Sequence, residues 1–273
     1  MNIWESILFG VVQGITEYLP VSSSAHLILL PRFLGTQDPG LAFDVFLHAG
    51  TLASTLWFFK KDWVALFSEG MSVLAKKPGN FFATKLGWVA AATVPALAFG
   101  AVFRKVIASE LRANSILVVT LALGGLLLWA VDLYRERFLK SSSQKKTADL
   151  GVRGAIAIGF FQCLALVPGM SRSGSTLIGG RTLGLSRQEA ARFSFWLSAP
   201  ITAAALVFEM RHFDELLQSQ VGAAVLIAGF ASSFLAGWAA IGFLLKFVSR
   251  MGFLGFAIYR IALAFAIFKV LGV

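Results

Sequence analysis

Two short stretches, 149 positions apart, hold the residues able to do chemistry. The first contains Gln13, Glu17, Ser22, Ser23, Ser24 and His26; the second follows Pro168 and Gly169 with Ser171, Arg172, Ser173, Ser175 and Thr176. Both sit inside apolar sequence, where polar and ionisable groups are expensive and mark a functional site by default. In the second stretch, Pro168-Gly169 breaks one helix and the serines open the next. Free N–H groups at that helix start, several hydroxyls and the Arg172 guanidinium make a cradle for phosphate. With a carboxylate and an imidazole brought opposite, the combined chemistry is hydrolysis of a phosphate ester or anhydride.

Gln13 and Glu17 are four residues apart and share a helix face. Glu17 could hold a divalent cation or orient a base, with Gln13 adding a neutral oxygen ligand. Magnesium or calcium suits such ligands, the phosphate groups supplying the others. His26 follows the serine triplet, where its imidazole could serve as general base or acid. Structural readings stand beside these: His26 as a core histidine, and Glu17 with Arg172 as an ion pair that can coexist with catalysis. Asp44 and His48, also four apart, divide between support of the site and packing. Arg181 and Glu189 are expected near the membrane surface, and Gly124, Gly125, Gly229 and Gly237 at close helix contacts.

The elements that must position these groups are membrane helices. Of 273 residues, 57% are hydrophobic and 14% charged, outside the range of soluble domains. Apolar runs near 41–59, 86–103, 115–131, 193–210, 221–245 and 253–271 are each long enough, or nearly so, to cross about 30 Å of hydrocarbon. They are continuous rather than alternating, which favours helices over a barrel. The net charge of +10 lies mostly in loops between these runs, as membrane orientation requires, and calls for no nucleic acid. The single Cys163 excludes a disulfide within the chain. Glu5 and the lack of a basic leader argue against a cleavable signal peptide.

Residues 2–19 predict a helix of about 27 Å, stopped by Pro20 and the serines. Ala25–Leu34 reaches only about 15 Å, too short to cross, so residues 2–35 read as a re-entrant hairpin. Irregular backbone at that depth is tolerated where it is buried in protein or lines a cavity. Arg135–Arg153, with Ser141 to Lys146, reads as a flexible polar linker. Beyond it the pattern begins again. A shift of 149 superposes Gly10 on Gly159, Gln13 on Gln162, Ser22 on Ser171, Ser24 on Ser173, Arg32 on Arg181, Leu34 on Leu183 and Gly35 on Gly184.

The expected fold is therefore one all-α integral membrane domain over 1–273, with repeats of about 1–138 and 152–273 joined by a cytoplasmic linker. Each half is a re-entrant hairpin plus three transmembrane helices, six spans in all. Three spans per half make the repeat inverted, with the site between its broken helices. Fifteen basic residues on one loop face against six on the other place both termini outside the cytoplasm.

The two motifs resemble the bacterial undecaprenyl-diphosphate phosphatase, or bacitracin-resistance, family, and the likeness extends through Phe43–Thr51 over nearly the whole chain. The resemblance implies hydrolysis of undecaprenyl diphosphate to the monophosphate and inorganic phosphate, which recycles the lipid carrier of wall synthesis. It also implies a bacterial plasma-membrane location, a divalent cation and a site accessible from the outer face. Glu17 matches the family's acid, His26 its histidine, Ser23 its proposed nucleophile, and Ser171, Arg172, Ser173 and Thr176 its phosphate-binding segment. Gln13 stands where many members carry a second glutamate, and Ala25 replaces the usual glycine. Partners expected are undecaprenyl diphosphate and membrane lipid, with a possible homodimer. A polyprenyl-phosphate transporter or flippase is the alternative, since inverted repeats with broken helices are a transporter plan.

Overall fold

The structure, a computed structural model, describes residues 1–76, 78–109, 111, 113–138, 145–209 and 222–271. Among them the chain is helical and forms no strand. Helix α1 (Ile3–Tyr18) opens with a capping box: the Asn2 side chain accepts from the Glu5 N–H at 2.9 Å, and Glu5 accepts from the Asn2 N–H at 2.8 Å. Two otherwise orphaned N–H groups are thereby satisfied. Pro20 ends the helix region, and α2 (Ser23–Leu34) starts afresh and stops at Gly35, where φ is +65°. Then follow α3 (Leu41–Phe58), α4 (Lys60–Lys76), α5 (Lys85–Val102), α6 (Arg104–Ser109) and α7 (Asn114–Phe138). The later helices are α8 (Gly151–Cys163), α9 (Arg172–Thr182), α10 (Arg187–Glu209), α11 (Ala223–Met251) and α12 (Leu254–Leu271).

All six predicted apolar runs are helical. α5, α7, α10 and α11 are each long and apolar enough to cross a membrane alone. Exposed apolar side chains such as Val94, Val119, Val207 and Leu235 cover their outer faces, a surface suited to lipid and not to water. The protein is an all-helical, multi-pass membrane protein. α4 departs from the expected basic loop: it is a helix bent 75° from α3. Trp63, Leu66 and Gly70 form its buried stripe, while Val64, Phe67 and Met71 stay exposed beside the lysines. That mixture makes α4 an amphipathic helix.

The polar linker is only partly described. Residues 139–144 lie outside the described residues, but Lys145 on its far side is held: its N–H donates to Gly184 O at 2.9 Å, and it accepts from Ser186 N at 3.2 Å. Basic residues from several chain segments gather on this face. Lys60, Lys61 and Arg192 line a cavity of about 500 Å³, and Lys85, Lys146 and Arg192 line its neighbour of about 270 Å³.

The helices of the two motifs pack across the chain halves. α1 lies along α11 and α8 along α5. Both contacts need glycine: a Cβ at Gly10 would stand 2.4 Å from Gly229 O, and one at Gly159 would stand 2.3 Å from Ala92 O. Arg181 is fully buried within the protein. It pairs with Asp132 at 2.9 Å and Glu136 at 2.6 Å, and Arg187 also reaches Asp132 at 2.9 Å. α7 supplies the carboxylates that make burial of this guanidinium tolerable, tying α7, α9 and α10 together.

Gly159→Ala is expected to lower the stability of the purified protein by about 1–3 kcal/mol, because α8 and α5 must separate to admit the methyl group. Gly100→Ala, whose Cβ would meet nothing nearer than 3.5 Å, is the control. Thermal unfolding in detergent reads both, and equal midpoints for the two variants would contradict the packing argument.

Candidate functional site

Glu17 lies on the last turn of α1, 8% exposed, and its carboxylate is where the two motifs meet. Oε1 accepts from Arg172 Nη2 at 3.0 Å. Oε2 accepts from Ser23 Oγ at 2.8 Å and from Gln13 Nε2 at 3.1 Å, with His48 Nε2 at 3.5 Å. The ion pair weighed from sequence is therefore present, and it spans 155 residues of chain. Next to it, Tyr18 is buried against Phe195, and its hydroxyl touches Thr51 O, Ser54 Oγ and Thr55 Oγ1. These contacts hold the end of α1 against α3 and fix where Glu17 points.

Arg172 opens α9. Its Nη1 donates to Ser194 O on α10 at 3.1 Å, so the planar fork is held at both prongs. Ser171 caps the helix, its Oγ accepting from Gly174 N at 3.2 Å and lying 3.1 Å from Ser173 Oγ. Ser173 Oγ also donates to Leu19 O at 3.1 Å, a second link between the loops. Thr176 Oγ1 lies 2.6 Å from Ser194 Oγ. Hydroxyls and helix-start N–H groups thus lie in the same turn that carries this guanidinium, groups of the kind that bind a phosphoryl group.

Among the described residues other than glycine, only Ser22 (φ +72°) and Ser171 (φ +67°) have positive φ. They are related by the 149-residue shift, each immediately precedes a motif helix, and each has its Oγ 3.1 Å from the serine two positions on. A side chain in this region carries strain of order 1–3 kcal/mol, and such strain collects at functional sites.

His26 stands apart from Ser23. Its Nδ1 donates to Ser22 O at 2.7 Å, which leaves Nε2 to accept from Tyr259 OH at 2.6 Å, and the two rings stack. The histidine against Glu17 is His48, whose Nδ1 donates to Asp44 O at 2.7 Å. Of the sequence candidates, Gln13, Ser23 and Arg172 each contact Glu17, Ser171, Ser173 and Thr176 lie in the same helix start as Arg172, and His26 binds elsewhere. Sequence reasoning missed Tyr18, Ser194, Tyr259 and Arg260; the last was visible as a charge within an apolar run.

For a hard cation the available donors are oxygens. Glu17 is the carboxylate, and Gln13 Oε1 is buried without a hydrogen-bond partner. Among the described residues no group of three or more His, Cys, Asp or Glu is arranged to hold a metal. A cation here would draw most of its ligands from phosphate, and the donor set fits that role.

A buried ion pair thus joins the two helix breaks of this membrane protein, with a hydroxyl on the carboxylate and a serine-rich helix start carrying the guanidinium. Residues 6–266 match the family described as bacitracin resistance protein BacA, and the chain belongs to that family. It is 39% identical to an undecaprenyl-diphosphatase of Gemmatimonas aurantiaca, covering 99% of this chain and 98% of that one. It is 40% identical to an undecaprenyl-diphosphatase of Myxococcus xanthus, over 96% of this chain and 87% of that one. A third relative of that name, from Idiomarina loihiensis, is 38% identical over 98% of both chains.

Ser22→Gly is expected to raise stability by about 1 kcal/mol, since glycine adopts positive φ without a Cβ clash. Ser22→Ala should not. Denaturation of the two variants in detergent checks this, and equal stabilities would contradict the assignment of strain.

Proposed function

We propose that the chain hydrolyses undecaprenyl diphosphate to undecaprenyl phosphate and inorganic phosphate at the Glu17–Arg172 site. The observation that carries this is Ser23 Oγ donating to Glu17 at 2.8 Å while Arg172 pairs with the same carboxylate at 3.0 Å. A nucleophile, its base and a phosphate-binding guanidinium are thus within one contact shell. A carrier needs to bind the lipid phosphate but has no use for a hydroxyl held on a base, so hydrolysis is favoured over transport.

In this reading Ser23 Oγ attacks the terminal phosphorus and its proton passes to Glu17. The new Oγ–P bond forms as the bridging P–O bond breaks, and undecaprenyl phosphate leaves. Water then attacks the phosphoserine, giving one proton to Ser23 Oγ and releasing inorganic phosphate, which carries away the proton held by Glu17. Arg172, the Ser171 and Ser173 hydroxyls and the α9 N–H groups hold the phosphoryl oxygens, and Thr176 steadies Arg172 through Ser194. His26, bonded to Ser22 O and Tyr259, holds the serine turn rather than taking the proton. Glu17 and Gln13 would hold a magnesium or calcium ion, which would neutralise phosphate charge when bound.

The finer architecture we infer is an inverted repeat of two re-entrant hairpins with three spans each. Its support is the exchange of partners, α1 on α11 and α8 on α5, together with Ser22/Ser171 and Gly35/Gly184 at matching positive φ. Both termini lie outside the cytoplasm in this reading, the lysine-rich face being cytoplasmic. All the groups named come from one chain, so the chemistry needs no second copy.

Purified protein in detergent is expected to release phosphate from undecaprenyl diphosphate, and to lose that activity with EDTA. Ser23→Ala should lower kcat at least about 100-fold with substrate binding retained, and substrate labelled at the terminal phosphate should transiently label wild-type protein on Ser23. Substantial turnover in folded Ser23→Ala would shift the attack to water. No release by well-folded wild type, across several cations and prenyl diphosphates, would move the function to a carrier.

A further inference from the structure

Arg260 on α12 is fully buried, 0% exposed. Arg172, Arg181, Arg187 and Arg192 each pair with a carboxylate, whereas among the described residues Arg260 pairs with none. Its donors go to five main-chain carbonyls. Nε donates to Leu121 O at 3.0 Å, Nη1 to Pro20 O at 3.3 Å, and Nη2 to Gly169 O at 2.9 Å, Met170 O at 3.2 Å and Thr120 O at 3.3 Å. Pro20 lies at the break of the first hairpin and Gly169 and Met170 at the break of the second. One side chain therefore holds the main chain of both loops, and pins them to α7.

The fold makes room for it. A Cβ at Gly124 would stand 2.3 Å from Nη2, and one at Gly174 would stand 3.0 Å from Nη1. Gly124 is thus explained by the guanidinium, beyond any general need for close helix contact. The physical demand is clear as well: carbonyls where a helix breaks have lost their intrahelical donors, and at membrane depth no bulk water replaces them. A planar guanidinium with five N–H groups is the side chain best able to serve several such acceptors from one point.

We propose that Arg260 is a positioning residue for the phosphatase site: it fixes the main chain of both broken-helix loops in one register, so that Ser23 on one and Arg172 on the other face the same phosphate. This rests on the hydrolytic reading above for its consequence, but not for its geometry. Arg260 touches neither Ser23 nor Glu17, and it acts through Pro20, Gly169 and Met170.

The test uses full-length Arg260→Gln, Arg260→Lys, Gly124→Ala and the Arg260→Gln/Gly124→Ala double variant. Kinetics of phosphate release and hydrogen exchange of peptides covering 19–24 and 168–175 are the readouts. Arg260→Gln is expected to lower kcat about 100-fold, as a displacement near 1 Å can do, with KM changed far less. Exchange should quicken in both loops and stay unchanged in α10 and α11. Lysine keeps the charge but not the fork, so Arg260→Lys should recover little. Gly124→Ala, which displaces the guanidinium, should reproduce part of the loss in the wild-type background and add nothing to Arg260→Gln.

Wild-type kcat in folded Arg260→Gln or Arg260→Lys, faster exchange in one loop only, or multiplying effects of the Gly124 and Arg260 changes would each overturn the proposal. If Arg260→Gln does not fold, Gly124→Ala carries the test: unchanged kcat and exchange there would overturn it. A wild type that releases no phosphate contradicts the hydrolytic reading, while the exchange data still decide whether Arg260 holds the loops.

Discussion

The contact between Glu17 and Arg172 joins two loops 155 residues apart, in surroundings where neither charge could stand alone. A carboxylate and a guanidinium removed from water lose several kcal/mol of solvation each, and their attraction offsets this only with good geometry and further hydrogen bonds. Both conditions are met. Ser23 and Gln13 donate to Glu17, and Ser194 O accepts from Arg172. The pair therefore requires the two helix breaks to be close, and their closeness places a hydroxyl, a carboxylate and a phosphate-binding arginine together.

That closeness is built from the backbone. Glycine at positions 10, 14 and 159 lets α1 and α8 press against helices of the other half of the chain, and Tyr18 pins the last turn of α1 to α3. The breaks themselves hold Ser22 and Ser171 at positive φ, a conformation the isolated chain would avoid. Such strain persists only where surrounding contacts over-determine it. Here those contacts are the serine pairs, the cap on Gly174 and the carbonyl bonds of Arg260.

Much of this was legible in the residues. Apolar runs marked the long helices, Pro20 and Pro168 marked the breaks, and the shift of 149 residues paired Ser22 with Ser171, which share a positive φ. Other features were out of reach of pattern alone. α4 read as a loop because its lysines masked the spacing of Trp63, Leu66 and Gly70. The burial of Arg181 was hidden because Asp132, its partner, is 49 residues away on another helix. The two histidines were least legible: which imidazole meets Glu17 depends on how α3 rotates against α1, and local spacing does not encode that. His26 follows the serines yet turns to Tyr259, while His48 makes the contact.

The most direct test of the account is a double-mutant cycle in kcat/KM for phosphate release, using Glu17→Gln, Arg172→Met and both together, in protein shown to be folded. If one ion pair assembles the site from two loops, either change dismantles the same unit, and the double variant should be no worse than the poorer single one. Effects that multiply would show the two residues acting independently, and would contradict a single site centred on their contact.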